Sequence, residues 1–229
     1  MIEDALRGHG TRARAVHEKA YLKSDLEHLG TTVPQTRRAV TTAVRGRTLT
    51  HADVLATVDE LWSTGVFELR FAAVELLVVA AKRNLLVARD LALVETLVRA
   101  SRTWALVDPL AIYVTGALAG GAGRVLDRWA RDDDFWIRRA AMLALLVPLR
   151  AGGGDFDRFA RYADAMLDDT EFFIRKAIGW VLRETSKRRP DLVAAWLMPR
   201  AARAAGLVVR EASKHLPASQ RAALLAAHR

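Results

Sequence analysis

Four side chains carry most of the chemistry this sequence suggests. Trp104 and Asp108 lie in TWALVDPLA, Arg139 in FWIRRAAMLALL and Trp180 in EFFIRKAIGWVLRE. Trp104 and Asp108 are four residues apart, so on a helix they share one face. An indole ring attracts a cation over its face, and a carboxylate attracts one directly. The chain also holds 35 Lys and Arg against 26 Asp and Glu, a net charge of +9. That excess points to an anionic partner, nucleic acid first, with an arginine-rich solubility surface as the plainer explanation. Together these residues suit a cationic group carried on a polyanion. Each has a structural alternative. Either tryptophan could pack in a core, Asp108 could pair across helices, and Arg139 could face solvent.

The elements that position them are helices. In VFELRFAAVELLVVAAKR, Phe67, Phe71, Val74 and Val78 fall at i, i+4, i+7 and i+11, and no convincing strand alternation occurs. Breakers such as Gly30, Pro34, Gly46, Gly65, Gly120–Gly121, Gly152–Gly154, Pro190 and Pro217 leave stretches of helical length between them. The chain also repeats. Phe67-x-x-Arg70-x-Ala72 recurs as Phe135-x-x-Arg138-x-Ala140 and Phe172-x-x-Arg175-x-Ala177, separated by 68 and 37 residues. Such periods predict an all-α, HEAT-like repeat α-solenoid, an α-α superhelix with a concave face. A middle copy is missing near residues 101–106, where a departure from the packing rule marks a candidate site. Arg70, Arg138 and Arg175 read as struts between repeats. Asp134 and Thr170 read as helix N-caps, which makes the run Asp132–Asp134 capping and surface rather than a metal cluster. Lys176, Trp180, Arg183 and Lys187 follow i, i+4, i+7 and i+11 and predict a basic stripe, interrupted by an aromatic, on that concave face.

Composition narrows the function classes. With no cysteine among 229 residues, thiol nucleophiles, disulfides and cysteine zinc sites are excluded. The six histidines show no metal-ligand spacing, so no metal is expected. The start, MIEDALRGHG, lacks the apolar core of a secretory signal. Apolar runs such as AAMLALLVPL, ten residues, are too short to span a bilayer. The expectation is one helical domain over residues 1–229, cytoplasmic and nucleoid-associated, monomeric, with residues 1–11 flexible.

Five blocks in chain order give the sequence a family resemblance: YLKSDLEHLG at 21–30, TWALVDPLA, FWIRRAAMLALL, EFFIRKAIGWVLRETSK, and VVREASKHL at 208–216. They resemble the HEAT-repeat DNA alkylation-repair glycosylases, the AlkD-like family. The resemblance implies a cofactor-free enzyme that removes cationic N3- and N7-alkylpurines from duplex DNA without flipping the base into a deep pocket, unlike most base chemistry. By position, it implies that Trp104 and Trp180 wall the damaged nucleotide, that Asp108 is the catalytic carboxylate, and that Arg139 holds phosphate beside the lesion. It further implies backbone contacts from Tyr21 and Lys23; the stripe residues Lys176, Arg183 and Lys187, with Arg210 and Lys214 of the closing block, are the other candidate DNA contacts. The sequence departs from the family pattern at Pro109, which threatens a helix kink beside Asp108, and at Ala105, where a larger or acidic residue is expected.

The chemistry agrees with this from its own side. Alkylation at N3 or N7 makes the purine a cation and a good leaving group. No second carboxylate is then needed as general acid, in contrast to ordinary glycoside hydrolysis. One carboxylate suffices to stabilise an oxocarbenium-like sugar and to position water. Two alternatives stay open: a non-catalytic HEAT-repeat protein that binds damaged or branched DNA, and a HEAT scaffold for protein partners. The scaffold predicts an apolar, uncharged concave face, against which the basic stripe argues.

Overall fold

Short polar side chains decide where many of the helices begin. The computed structural model describes residues 1–228, and these pack as two compact units, residues 1–118 and the remainder. The first unit contains α1 (Ile2–Arg7), α2 (Arg12–Leu22), α3 (Val33–Val44), α4 (His51–Ser63), α5 (Phe67–Lys82) and α6 (Leu91–Ser101). It closes with α7 (Trp104–Pro109), which runs through a π-helical turn (Leu110–Thr115) into α8 (Gly116–Leu118). Thr32 with Gln35, and Thr50 with Asp53, form capping boxes, each satisfying two orphan backbone donors at once. The first eleven residues, expected to be flexible, include α1, whose Leu6 is fully buried.

The second unit contains α9 (Gly123–Trp129), α10 (Phe135–Leu143), α11 (Leu146–Arg150), α12 (Phe156–Ala165) and α13 (Phe172–Ser186), then α14 (Pro190–Leu197), α15 (Gly206–Ala212) and α16 (Ala218–Ala227). Among the described residues no strand forms; the only β pairing is an isolated bridge between Glu27 and Val66. The expected class, an all-α repeat solenoid, is what the sequence builds.

Each unit is organised around one helix. Helix α5 is buried almost all round, including Phe67, Phe71, Val74 and Val78, and packs against α3, α4 and α7. An apolar helix without a polar face belongs inside a larger fold. Helix α13 does the same in the second unit, against α10, α11, α14 and α15.

The repeat register holds in three dimensions. Phe67, Phe135 and Phe172 are the first residues of α5, α10 and α13, and Trp104 takes the same place in α7. The missing middle copy is therefore present, with tryptophan where the others have phenylalanine. The repeated arginines tie their helices to the chain ahead of them, Arg70 to the end of α4 and the other two to loops. Arg70 donates to the Trp62 carbonyl at 3.1 Å, Arg138 to the Asp132 carbonyl at 2.7 Å and Arg175 to the Asp169 carbonyl at 2.6 Å. Arg138 also reaches the Asp169 carboxylate, 31 residues on, at 3.0 Å. Asp134 caps α10 as expected, accepting from the Trp136 N–H at 2.8 Å. Thr170 does not cap α13; the helix starts at Phe172, so Glu171 holds the cap position and accepts from the Phe173 N–H.

Residues Trp104–Gly121 form a continuous 18-residue helix of mean hydropathy 1.2. By length and composition this helix could cross a membrane, although Asp108 interrupts its apolar run. Its apolar side is spent on packing: Leu106, Val107, Leu110, Ala111 and Val114 are fully buried. That is the pattern of a core helix.

A buried carboxylate fixes the turn that leads into α3. Glu68, 2% exposed, accepts backbone N–H bonds from Leu29 at 2.9 Å, Gly30 at 2.6 Å and Thr31 at 3.3 Å. Gly30 has φ +80°, and a Cβ there would sit 2.1 Å from the Thr11 carbonyl oxygen. Both the left-handed backbone and the close approach of α2 require glycine. We expect Gly30→Ala to cost about 2–4 kcal/mol of stability, read as a shift in the urea midpoint at unchanged slope.

Candidate nucleic-acid interface

In the first unit, α7 presents Trp104 at its first position, started by the Thr103 side chain. The ring is 36% exposed, far more than an ordinary core tryptophan. The exposed Tyr21, at the end of α2, meets it edge-on, with ring centroids 6.3 Å apart and planes at 88°. Asp108 lies one turn further along, 9% exposed, and is engaged by partners rather than free. Pro109 follows within the helix, and the π register begins at the next residue. Proline removes an N–H and crowds the preceding turn, and a π-turn is one way a helix absorbs such a defect. The Thr115 hydroxyl steadies the turn, donating to the Leu110 carbonyl at 3.2 Å. Lys23 ends α2 in the left-handed region, φ 50°, with its side chain exposed.

A groove of about 370 Å³ in this unit is lined by Arg37, Glu75, Lys82 and Tyr113, among others. Tyr113 is 43% exposed and lies on the same continuous helix as Asp108. Sequence reading assigned none of these a role, because an isolated tyrosine within an apolar run carries no signal of its exposure.

In the second unit the expected basic stripe on α13 forms, but its cations are shared with two buried carboxylates that sequence reading missed. Lys176, Arg183 and Lys214 all reach Glu211, Lys176 at 3.2 Å and Lys214 at 2.8 Å. Arg150, Arg183 and Lys187 reach Glu184, at 3.1, 3.4 and 2.9 Å. Five cationic ends therefore surround two acids, and the cluster keeps a positive balance while its side chains are held in place. Burial raises the Glu211 carboxyl, but hydrogen bonds from Lys214 and Lys176 and the charges of Lys176 and Arg183 outweigh it and hold the group at about 2. Glu184 is lowered in the same way, burial being offset by Lys187 and Arg150. Both acids stand in the quoted blocks LRETSK and VVREASKHL; what the sequence lacked was any sign that they face each other's cations.

Trp180 is half-buried on α13, and Arg210 is exposed on α15. Gly179 sets how closely those helices approach: a Cβ there would lie 2.8 Å from the Glu211 Cβ. Arg139 is not on the open stripe. It is 3% exposed, donates to the Phe173 carbonyl at 2.6 Å and lies 5.9 Å from the Phe173 ring centroid. Asp108, Arg139 and Lys176 nonetheless occupy one register slot, the fifth position of α7, α10 and α13; α5 has Phe71 there.

The fold defines the class first: an all-α helical-repeat protein. Similar folds occur in a predicted DNA alkylation repair enzyme from Enterococcus faecalis (21% identity, 92% of this chain and 98% of that one, TM-score 0.79) and in AlkD2 from Streptococcus mutans (20%, 89% and 100%, TM-score 0.63). The protein smu.31 from Streptococcus mutans UA159 is a third (19%, 93% and 100%, TM-score 0.61). No curated protein matches the chain. The sequence profile of the DNA alkylation repair enzymes matches residues 2–216, and the chain belongs to that family. It is an enzyme of DNA alkylation repair, with DNA as its partner.

The Glu211 cluster has a pH signature. A carboxyl lowered from 4.5 to about 2 contributes stability that is complete above pH 4.5 and lost as pH falls toward 2. The loss reaches at most about 3 kcal/mol. Acid titration of denaturation midpoints should show it in the wild type, with a flatter profile over that interval in Glu211→Gln.

Proposed function

We propose that this protein is a monofunctional DNA glycosylase that hydrolyses the N-glycosidic bond of cationic N3- and N7-alkylated purines in duplex DNA without deep base flipping. The observation that carries the reading is Trp104, open at the start of its helix with Tyr21 against its edge, one turn from the Asp108 carboxylate. Indole faces attract the cationic base, each by roughly 0.5–2 kcal/mol. Asp108 stabilises the positive charge that develops on the sugar as the base leaves, and it orients the attacking water. The base departs as a neutral purine, so no acid has to protonate it. The protein acts alone on the duplex, as a monomer at the nucleoid.

In the second unit Trp180 offers an indole face of its own to the nucleic acid. Lys176, Arg183, Lys187, Arg210 and Lys214 meet phosphates, as do Tyr21 and Lys23 in the first unit. Cations already fixed by Glu184 and Glu211 lose little side-chain freedom when a phosphate arrives, which favours binding. Arg139 keeps its assignment to the phosphate beside the lesion, working from a guanidinium anchored on the Phe173 carbonyl.

A second reading is a non-catalytic protein that binds damaged or branched DNA. It is favoured by the burial of Asp108, 9% exposed, which restricts access to that carboxylate.

Release of free base from duplex DNA carrying N7-methylguanine separates the two. The wild type should release base, and Asp108→Asn should lose on the order of 10²–10³-fold or more in rate while keeping its DNA affinity. Tight binding without release by either protein would point to the binding-only reading or to a glycosylase for another adduct. Lys187→Ala should flatten the plot of log affinity against log salt by about 0.9, one phosphate contact; an unchanged slope would remove Lys187 from the interface.

A further inference from the structure

Helix α2 lacks the usual means of attachment. None of its residues is buried, although it presents Tyr21 to Trp104. Its polar ties are few: the Thr11 N–H donates to the Gly30 carbonyl at 3.3 Å, and Arg14 Nε to the Thr31 carbonyl at 3.4 Å. A cluster on its inner side supplies the chemistry of a stronger one. Glu18 of α2, His28 of the following turn and Glu68 of α5 bring one ligand atom each within 4.8 Å of one another. His28 is 9% exposed, yet neither of its ring nitrogens has a hydrogen-bond partner. The ring is held flat against Phe67, centroids 4.7 Å apart and planes at 6°. A buried imidazole with both nitrogens unmet is costly unless something fills the space it faces.

We propose that Glu18, His28 and Glu68 bind a divalent transition cation of the zinc class, which clasps α2 to the turn at 28–31 and to α5. One imidazole and two carboxylates form a donor set that zinc accepts, with solvent completing the shell. Bonds of about 2.0–2.2 Å require the ligand atoms to draw closer together than they stand. Glu68 is fixed by its three backbone donors, so Glu18, half-buried and paired to Arg14 on α2, is the member that moves. The site is separate from the proposed glycosylase chemistry and supplies no step of it. Its residues lie on three elements, 10 and 40 positions apart in the chain, so no sequence spacing announces it.

The test is a zinc titration of the full-length, chelator-treated protein by competition with a chromogenic zinc indicator. His28→Phe, which keeps the stack on Phe67, and Glu18→Gln, which leaves the Glu68 turn intact, are measured beside it. The expected result is one tight equivalent in the wild type, weakened at least about tenfold in each variant, with a zinc-dependent rise in Tm seen only in the wild type. Zinc bound no more tightly by the wild type than by the variants would overturn the proposal and leave the cluster as a water pocket. Should His28→Phe fail to fold, the comparison with Glu18→Gln decides alone.

Discussion

A carboxylate taken out of water must be met by donors or by cations, and much of this structure follows from where that requirement falls. Glu68 and Glu184 are carried by the two central helices, and Glu211 packs against the second of them. Glu68 takes three backbone N–H groups and thereby shapes the turn before α3. Glu184 and Glu211 take five basic side chains and hold them on one patch of the second unit. A loose set of surface lysines and arginines would give charge without placement. Anchored on buried acids, the same cations become fixed features of the surface.

The repeat supplies the second constraint. Each repeated helix begins with an aromatic residue and is tied by an arginine, or packed without one, to what precedes it. The fifth position is then free to vary in chemistry while its direction stays set by the helix. In α5 the slot holds Phe71 and serves the core; in α7, α10 and α13 it holds Asp108, Arg139 and Lys176. At the first position the aromatic is buried in α5, as Phe67, and left partly open in α7 and α13, as Trp104 and Phe172. In this chain the polar residues of that slot therefore stand at positions whose direction the repeat sets.

Pro109 shows how such a helix tolerates a breaker. The register change to a π-turn follows it directly, and Leu110, Ala111 and Val114 beyond it remain fully buried. Packing on both sides of the defect keeps the helix continuous where an isolated peptide would end.

Much of this was legible in the sequence alone. Periodicity of apolar residues determined the helices, the recurring Phe-x-x-Arg-x-Ala determined the repeat and its register, and five ordered blocks determined the family. These are local or regularly spaced signals, and local signals survive in one dimension. Tertiary structure alone decided what depends on distant partners. It buried Arg139 against Phe173 and made Glu184 and Glu211 the anchors of the basic stripe. It also brought Glu18, His28 and Glu68 together. Arg139 meets Phe173, Lys176 meets Glu211 and His28 meets Glu68 only after some 30 to 40 residues of intervening chain. Burial and pairing are properties of that meeting, and a helical period by itself does not contain them.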